Sequence, residues 1–291
     1  MSRKADEVDS ADAEERGLWW DTKLEGEGPG FSAVLNSDWD LLGPCGGYLA
    51  AIALRAAGVV SGRARPASIS CIFSSVASFG LIDVSVNVLS NARRASAMAV
   101  TLSQEGRHVM GAHVWTIDDG LTGYEHDVAA MPDVPPPEAV ESLEGLLPLD
   151  PSRPYRRFRE MVEERTMTFD FKRMRRPLGD PRILSWFRFH PQPVFQDPYV
   201  DAGRSLILCD TFQYPAARAM YEVIPAVLAR SLDLVVHFHD VVPQQEWLLC
   251  EATSPCSGGG LLNGRSRIWA QTGRLVASGG QQMLCRPVPS T

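Results

Sequence analysis

The 291-residue chain lacks any run of about 20 consecutive apolar residues, so no helix is expected to cross a bilayer. Residues 1–17 also lack the apolar stretch of a secretory signal; rich in Asp, Glu, Ser, Ala and Arg, they read as a disordered tail. Paired cysteine motifs are missing: Cys45, Cys71, Cys209, Cys250, Cys256 and Cys285 form no Cys-x-x-Cys, and four of them lie in apolar stretches. That distribution argues against a zinc site or a disulfide framework and for free thiols in a reducing, cytoplasmic setting. An excess of positive charge is lacking too. With 28 Lys and Arg against 35 Asp and Glu, the net charge is −7, which does not suit a nucleic-acid binder. What is present, 45% hydrophobic and 22% charged residues, suits a soluble chain that buries a sizeable core.

Residues 18–120 and 161–291 read as two globular modules, joined by a Pro-rich connector over 121–160 that carries Pro135-Pro136-Pro137, Pro148 and Pro151. In the first module Tyr48, Leu49, Ile52, Ala53 and Ala56 recur at helical spacing, predicting a helix from Gly46 to Ala57 that ends at Gly58. The period then changes to two. Ile82, Val84, Val86 and Val88 alternate with polar residues, and 95–103 and 108–117 read as strands joined at Glu105-Gly106. The second module repeats the order, with strands at 166–173 and 184–190, a helix over 205–221, and strands near Ser231, Trp247, Leu262 and Arg274. The turn 103–109 aligns with 270–276, so an internal duplication is expected. One helix wrapped by one antiparallel sheet is an α+β module that leaves apolar surface and a sheet edge bare, and two such modules can cover each other.

The stretch Trp39-Asp40-Leu41-Leu42-Gly43-Pro44-Cys45-Gly46-Gly47-Tyr48-Leu49-Ala50 resembles the glycine-led helix entry of the double hotdog acyl-CoA thioesterases related to the bacterial type II enzyme. The second module adds Leu208-Cys209-Asp210, Ser231-Leu232-Asp233, His237-Phe238-His239, Trp247-Leu248-Leu249 and residues 273–278 running into Gln281. The resemblance implies an α+β double hotdog fold and hydrolysis of an acyl thioester carried by coenzyme A or an acyl carrier protein. It further implies a water held by Asp210, Ser231 and Gln281, with Gly46, Gly47 and Tyr48 at the substrate. Ser231 stands where the bacterial type II enzyme has Thr, and Cys45 departs from a usual Asn or His. No cofactor or metal is implied, and homo-oligomerisation stays open.

The chemistry is sound on its own terms. A thioester releases a thiolate of pKa about 8.5, so an oriented water, a base and a carbonyl polariser suffice. Asp210 is an acid for the base, Gln281 and Ser231 both donate and accept, and the free amides of a helix start at Gly46 and Gly47 suit an oxyanion. Each residue has a plainer reading. Asp210 can be an early-helix acid, and strict alternation puts Ser231 on the face opposite Leu232, Leu234, Val236 and Phe238. Gln281 and its neighbour Gln282 are hard to separate, although alignment of the modules sets Gln281 against apolar Val114. His237 and His239 lack further metal ligands, and Cys45 lacks the partners of a nucleophile. The basic runs Arg93-Arg94 and 172–176 read as solvated faces that would also suit phosphates. Acyl length depends on bulky residues such as Phe73, Phe79, Trp115 and Phe212. Two other readings compete with hydrolysis. A hotdog hydratase or dehydratase resembles Asp followed five residues on by His, where this chain has Pro215, and a non-catalytic acyl-thioester binding protein would not need the complete Asp, Ser and Gln set.

Overall fold

The structure, a computed structural model, describes residues 16–146, 156–169, 177–223 and 227–287. The first part of the chain forms α1 (Leu18–Asp21), β1 (Glu25–Glu27), β2 (Gly30–Leu35), α2 (Gly46–Ser61), β3 (Arg65–Phe73), β4 (Gly80–Asn91), β5 (Ala95–Gln104) and β6 (Arg107–Ile117). Two short helices follow, α3 (Leu143–Leu146) and α4 (Arg156–Met161). The second part forms β7 (Val162–Thr166), β8 (Arg182–Phe189), α5 (Pro198–Thr211), α6 (Gln213–Arg218), β9 (Val227–Ser231), β10 (Asp233–Phe238), β11 (Trp247–Gly258), β12 (Leu261–Ala270) and β13 (Leu275–Pro287).

The strands make one antiparallel sheet in the order β1-β2-β4-β5-β6-β3-β10-β13-β12-β11-β8-β7, with β9 paired to β13. Read from either edge, the order is the same: a strand pair, then three strands, then the strand that meets the other copy, β3 directly after α2 in the first and β10 after α5, α6 and β9 in the second. The duplication expected from the sequence is thus written in the topology. The two copies join where β3 pairs β10, with Val235 opposite Ser70. The main apolar core runs through both, holding Ile52, Val84, Val100 and Ile69 of one and Leu206, Cys250, Ile268 and Val236 of the other. No helix of the described residues is long and apolar enough to cross a membrane.

The long helices α2 and α5 lie against each other inside the sheet. Their backbones approach closely because small residues meet there: a Cβ on Gly47 would lie 2.6 Å from the Ile207 Cα, and one on Gly203 would lie 3.2 Å from the Ala51 Cβ. Contacts run 47 to 207, 51 to 203 and 58 to 199, so the helices are antiparallel. Helix α2 passes the expected stop at Gly58 and ends at Ser61, before left-handed Gly62 (φ 61). Gly58 stays inside the helix because the Tyr199 ring covers it.

The second helix departs further from expectation. It starts at Pro198, not Ser205, because the Asp197 carboxylate caps the amides of Tyr199 (2.8 Å) and Val200 (3.3 Å) with proline at the first helical position. It stops at Thr211, and the remainder of the expected span is the separate α6. Strand β7 ends where the expected 166–173 strand begins; residues 170–176, like 1–15 of the tail and Pro148 and Pro151 of the connector, lie outside the described residues.

Candidate active site

Asp210 sits in the last turn of α5 and meets the first turn of α2. Its Oδ2 accepts from the Gly47 amide at 2.9 Å and from the Cys45 thiol at 3.3 Å; its Oδ1 accepts from the Ser231 hydroxyl at 3.2 Å. The start of α2 carries amides without intrahelical partners and the positive end of the macrodipole, so it holds a carboxylate well. Glycine at 46 leaves room for this, since a Cβ there would lie 3.0 Å from Oδ1. Burial pushes the Asp210 carboxyl above its ordinary range; the Gly47 amide and the Cys45 and Ser231 donors pull the other way without cancelling it.

Ser231 reaches this face because the chain breaks at Leu232, between β9 and β10. The strict alternation that would have turned it away does not persist through that break: Leu234, Val236 and Phe238 are buried, whereas Leu232 is 39% exposed. Ser231 pairs with Met283 on β13 and also donates to the Gln281 Oε1 at 2.7 Å. The other end of that amide donates to the Asp210 carbonyl oxygen at 2.7 Å, which fixes the amide's orientation, because a carbonyl can only accept. The serine hydroxyl has one proton and two acceptors. The shorter bond goes to Gln281, so Asp210 Oδ1 is the carboxylate oxygen with spare accepting capacity. Gln282 points elsewhere, its amide oxygen accepting from Asn263, so the structure separates the two glutamines.

These groups stand on a cavity of about 580 Å³. Asp210, Ser231, Gly46 and Cys45 line it with Leu49, Phe73, Phe158, Phe187 and Phe212, while Gln281, only 2% exposed, lies behind Ser231 and does not. Of the bulky residues singled out in the sequence, Phe73 and Phe212 are in the cavity wall and Phe79 and Trp115 are not.

The substrate-side residues change most. Tyr48 is fully buried away from the cavity, and its hydroxyl donates to the Asp21 carbonyl at 2.6 Å; it braces α1 against α2. Gly47 spends its amide on Asp210 instead of offering it to a substrate oxyanion. Of the three, only Gly46 lines the cavity. Cys45, which departs from the usual Asn or His, has its thiol pushed far up by burial and then by the Asp210 charge, so it donates a hydrogen bond to Asp210 and is no thiolate nucleophile. His237 and His239 are exposed, His239 bonding Ser278, and Arg93 and Arg94 are exposed away from the cavity. Among the described residues no three His, Cys, Asp or Glu side chains cluster as a metal site would.

A duplicated module of one long helix inside a twisted antiparallel sheet, with an acid of one helix on the N-terminus of the other, defines a double hotdog protein. The acyl-CoA thioesterase C-terminal domain family matches residues 127–285 and the N-terminal domain family matches residues 35–117. The chain belongs to the acyl-CoA thioesterase family, and its general chemistry is thioester hydrolysis. In structure it is similar to the acyl-CoA thioesterase II TesB2 of Mycobacterium marinum, with TM-score 0.75, 22% identity, 94% of this chain and 99% of that one covered. The tesB protein of Mycobacterium avium subs paratuberculosis gives TM-score 0.73 and 23% identity over 93% and 98% of the two chains. The dehydratase domain of the CurJ module of curacin polyketide synthase shares the fold more distantly, at TM-score 0.55 and 12% identity over 91% and 96%. No curated protein matches the chain in sequence.

Proposed function

We infer that the chain hydrolyses acyl-coenzyme A thioesters by direct attack of a water activated at Asp210. The observation that carries this reading is the Asp210 carboxylate on the wall of the cavity, with the Ser231 hydroxyl 3.2 Å from its Oδ1. A water there donates one proton to Oδ1 and is steered by Ser231. Burial raises the carboxyl pKa, so the ionised Asp210 is a stronger base than a solvated aspartate. As the water oxygen bonds to the acyl carbon, Asp210 takes its proton; collapse breaks the carbon–sulfur bond and releases the thiolate, which is protonated from solvent. Gln281 is a positioning residue in this scheme, holding Ser231 and the end of α5.

No histidine lines the cavity among the described residues, and Pro215 occupies the position five after Asp210, so the site favours hydrolysis over dehydration. The test is a steady-state assay of thiol release from acyl-CoA substrates of several lengths. Wild type should turn over and Asp210→Asn should lose about a hundredfold to ten-thousandfold in kcat with its fold intact by thermal melt. Wild-type kcat in Asp210→Asn would overturn the reading.

A further inference from the structure

Strand β7 directly follows the stretch that reads as a connector, and it differs from β1, its counterpart at the opposite edge of the sheet. Glu25, Gly26 and Glu27 of β1 are all exposed, whereas Val162, Glu164 and Thr166 of β7 are buried. Glu164 is thus an inward-facing acid, 3% exposed, and with Arg159 of α4 it lines the same cavity as Asp210. Two contacts fix its place relative to the reaction centre. Phe212, two residues beyond Asp210, has its ring 4.2 Å from that of Phe187, and Phe187 pairs in register with Glu164. Both rings line the cavity. They form a wall running from Asp210 toward Glu164, so an acyl chain lying along it carries its far end to the buried acid.

A carboxylate set among Phe158, Val162 and Phe187 is costly without hydrogen-bond donors. The Ser185 hydroxyl donates to Glu164 Oε1 at 2.8 Å, and Arg159 Nη2 lies 4.0 Å from Oε2, beyond hydrogen-bonding distance. A hydroxyl both donates and accepts, so one seated between them bonds the carboxylate and the guanidinium at once. A methyl end in the same place desolvates both groups and returns no hydrogen bond. A carboxylate end fares no better. Arg159 is already paired with Glu144 at 3.3 Å, so another anion would meet two acids for one arginine.

We propose that Arg159 and Glu164 select acyl chains carrying a hydroxyl at the end remote from the thioester, over plain acyl chains of the same length. The proposal rests on the hydrolytic reading for the direction in which the chain lies, but not for its test. The experiment is calorimetric binding of alkyl-coenzyme A thioethers, which cannot be hydrolysed, in a series of lengths with and without a terminal hydroxyl. Wild type should bind the hydroxylated ligand about tenfold more tightly at the length that brings the hydroxyl to Glu164, and show no preference at shorter lengths. Glu164→Leu and Arg159→Met should each lose most of that preference and Glu164→Gln only part of it, with plain-chain affinity kept and melts unaltered. Should Glu164→Leu fail to fold, Arg159→Met and Glu164→Gln carry the test. The proposal is overturned if wild type prefers the hydroxyl at no length, if Arg159→Met keeps the preference, or if the variants weaken both ligands equally, as a purely structural pair would. Preference in thioether binding without thiol release from any matching thioester would sink the hydrolytic reading and leave this one standing. Thiol release without that preference would do the reverse.

Discussion

The two ends of the α2–α5 helix pair are built on one plan and finished differently. At one end the N-terminus of α2 receives Asp210 from the end of α5, with Gly46 and Gly47 clearing the space. At the other, the end of α2 meets the start of α5, and the Tyr199 ring packs on Gly58 with its hydroxyl donating to the Arg63 carbonyl at 3.0 Å. Where one end carries a carboxylate that burial destabilises, the other carries an aromatic ring that burial favours. The segment holding α6 and β9 also follows α5 alone; α2 runs directly into β3. Duplication thus supplies two candidate sites, and one of them is packed shut. A stable core tolerates a costly group where chemistry uses it and fills the equivalent place with hydrocarbon.

That contrast can be broken at each end in turn. The largest effect is the hundredfold or greater loss of kcat expected for Asp210→Asn; Tyr199→Phe, which removes one hydrogen bond, should cost about 1 kcal/mol in a melt and leave kcat alone. The same Asp210→Asn variant should be more stable than wild type at neutral pH. Because the folded chain holds the Asp210 proton more tightly than the unfolded chain, wild-type stability falls as pH rises from the ordinary carboxylate value of about 4 through the raised one. The variant's advantage in melting temperature should therefore shrink as pH is lowered toward that value.

Glycine substitutions come next. Gly47→Ala drives a methyl into the Ile207 backbone, at 2.6 Å from its Cα, and should cost about 1–3 kcal/mol and lower kcat as Asp210 shifts. Gly58→Ala meets only the Tyr199 ring, at 2.7 Å, and should cost stability without touching turnover. Equal kcat losses from the two would erase the distinction between the ends. Ser231→Ala and Gln281→Ala should each lower kcat by about tenfold, and the double variant should lose no more than the worse single one, since Gln281 acts through Ser231. Cys45→Ala should have the smallest effect on kcat, while moving its acid limb upward in pH because Asp210 loses a donor.

Much of the frame was legible in the residues. Helix α2 and strands β4, β5 and β6 follow from periodicity, and the duplication from the matching turns at Gly106 and Gly273. Asp210, Ser231 and Gln281 were brought forward by resemblance, and the structure gathers them. What stayed hidden depended on contacts distant in sequence. The start of α5 had a local signal, Asp197-Pro198, that apolar spacing farther on outweighed. Tyr48 follows the glycines directly, but its side of α2 packs on α1, which no local pattern announces. The direction of the Gly47 amide is decided by a residue 163 positions away. Ser231 faces inward only because the strand breaks at Leu232.

The central claim, that a buried Asp210 carboxylate is the base for hydrolysis, is tested most directly by the pH dependence of kcat in the wild-type enzyme over the range where it stays folded. A single acid limb is predicted, with its midpoint above the ordinary aspartate value of about 4, because burial favours the protonated form and protonation removes the base. A kcat that stays flat to pH values near about 4 and below would contradict the account.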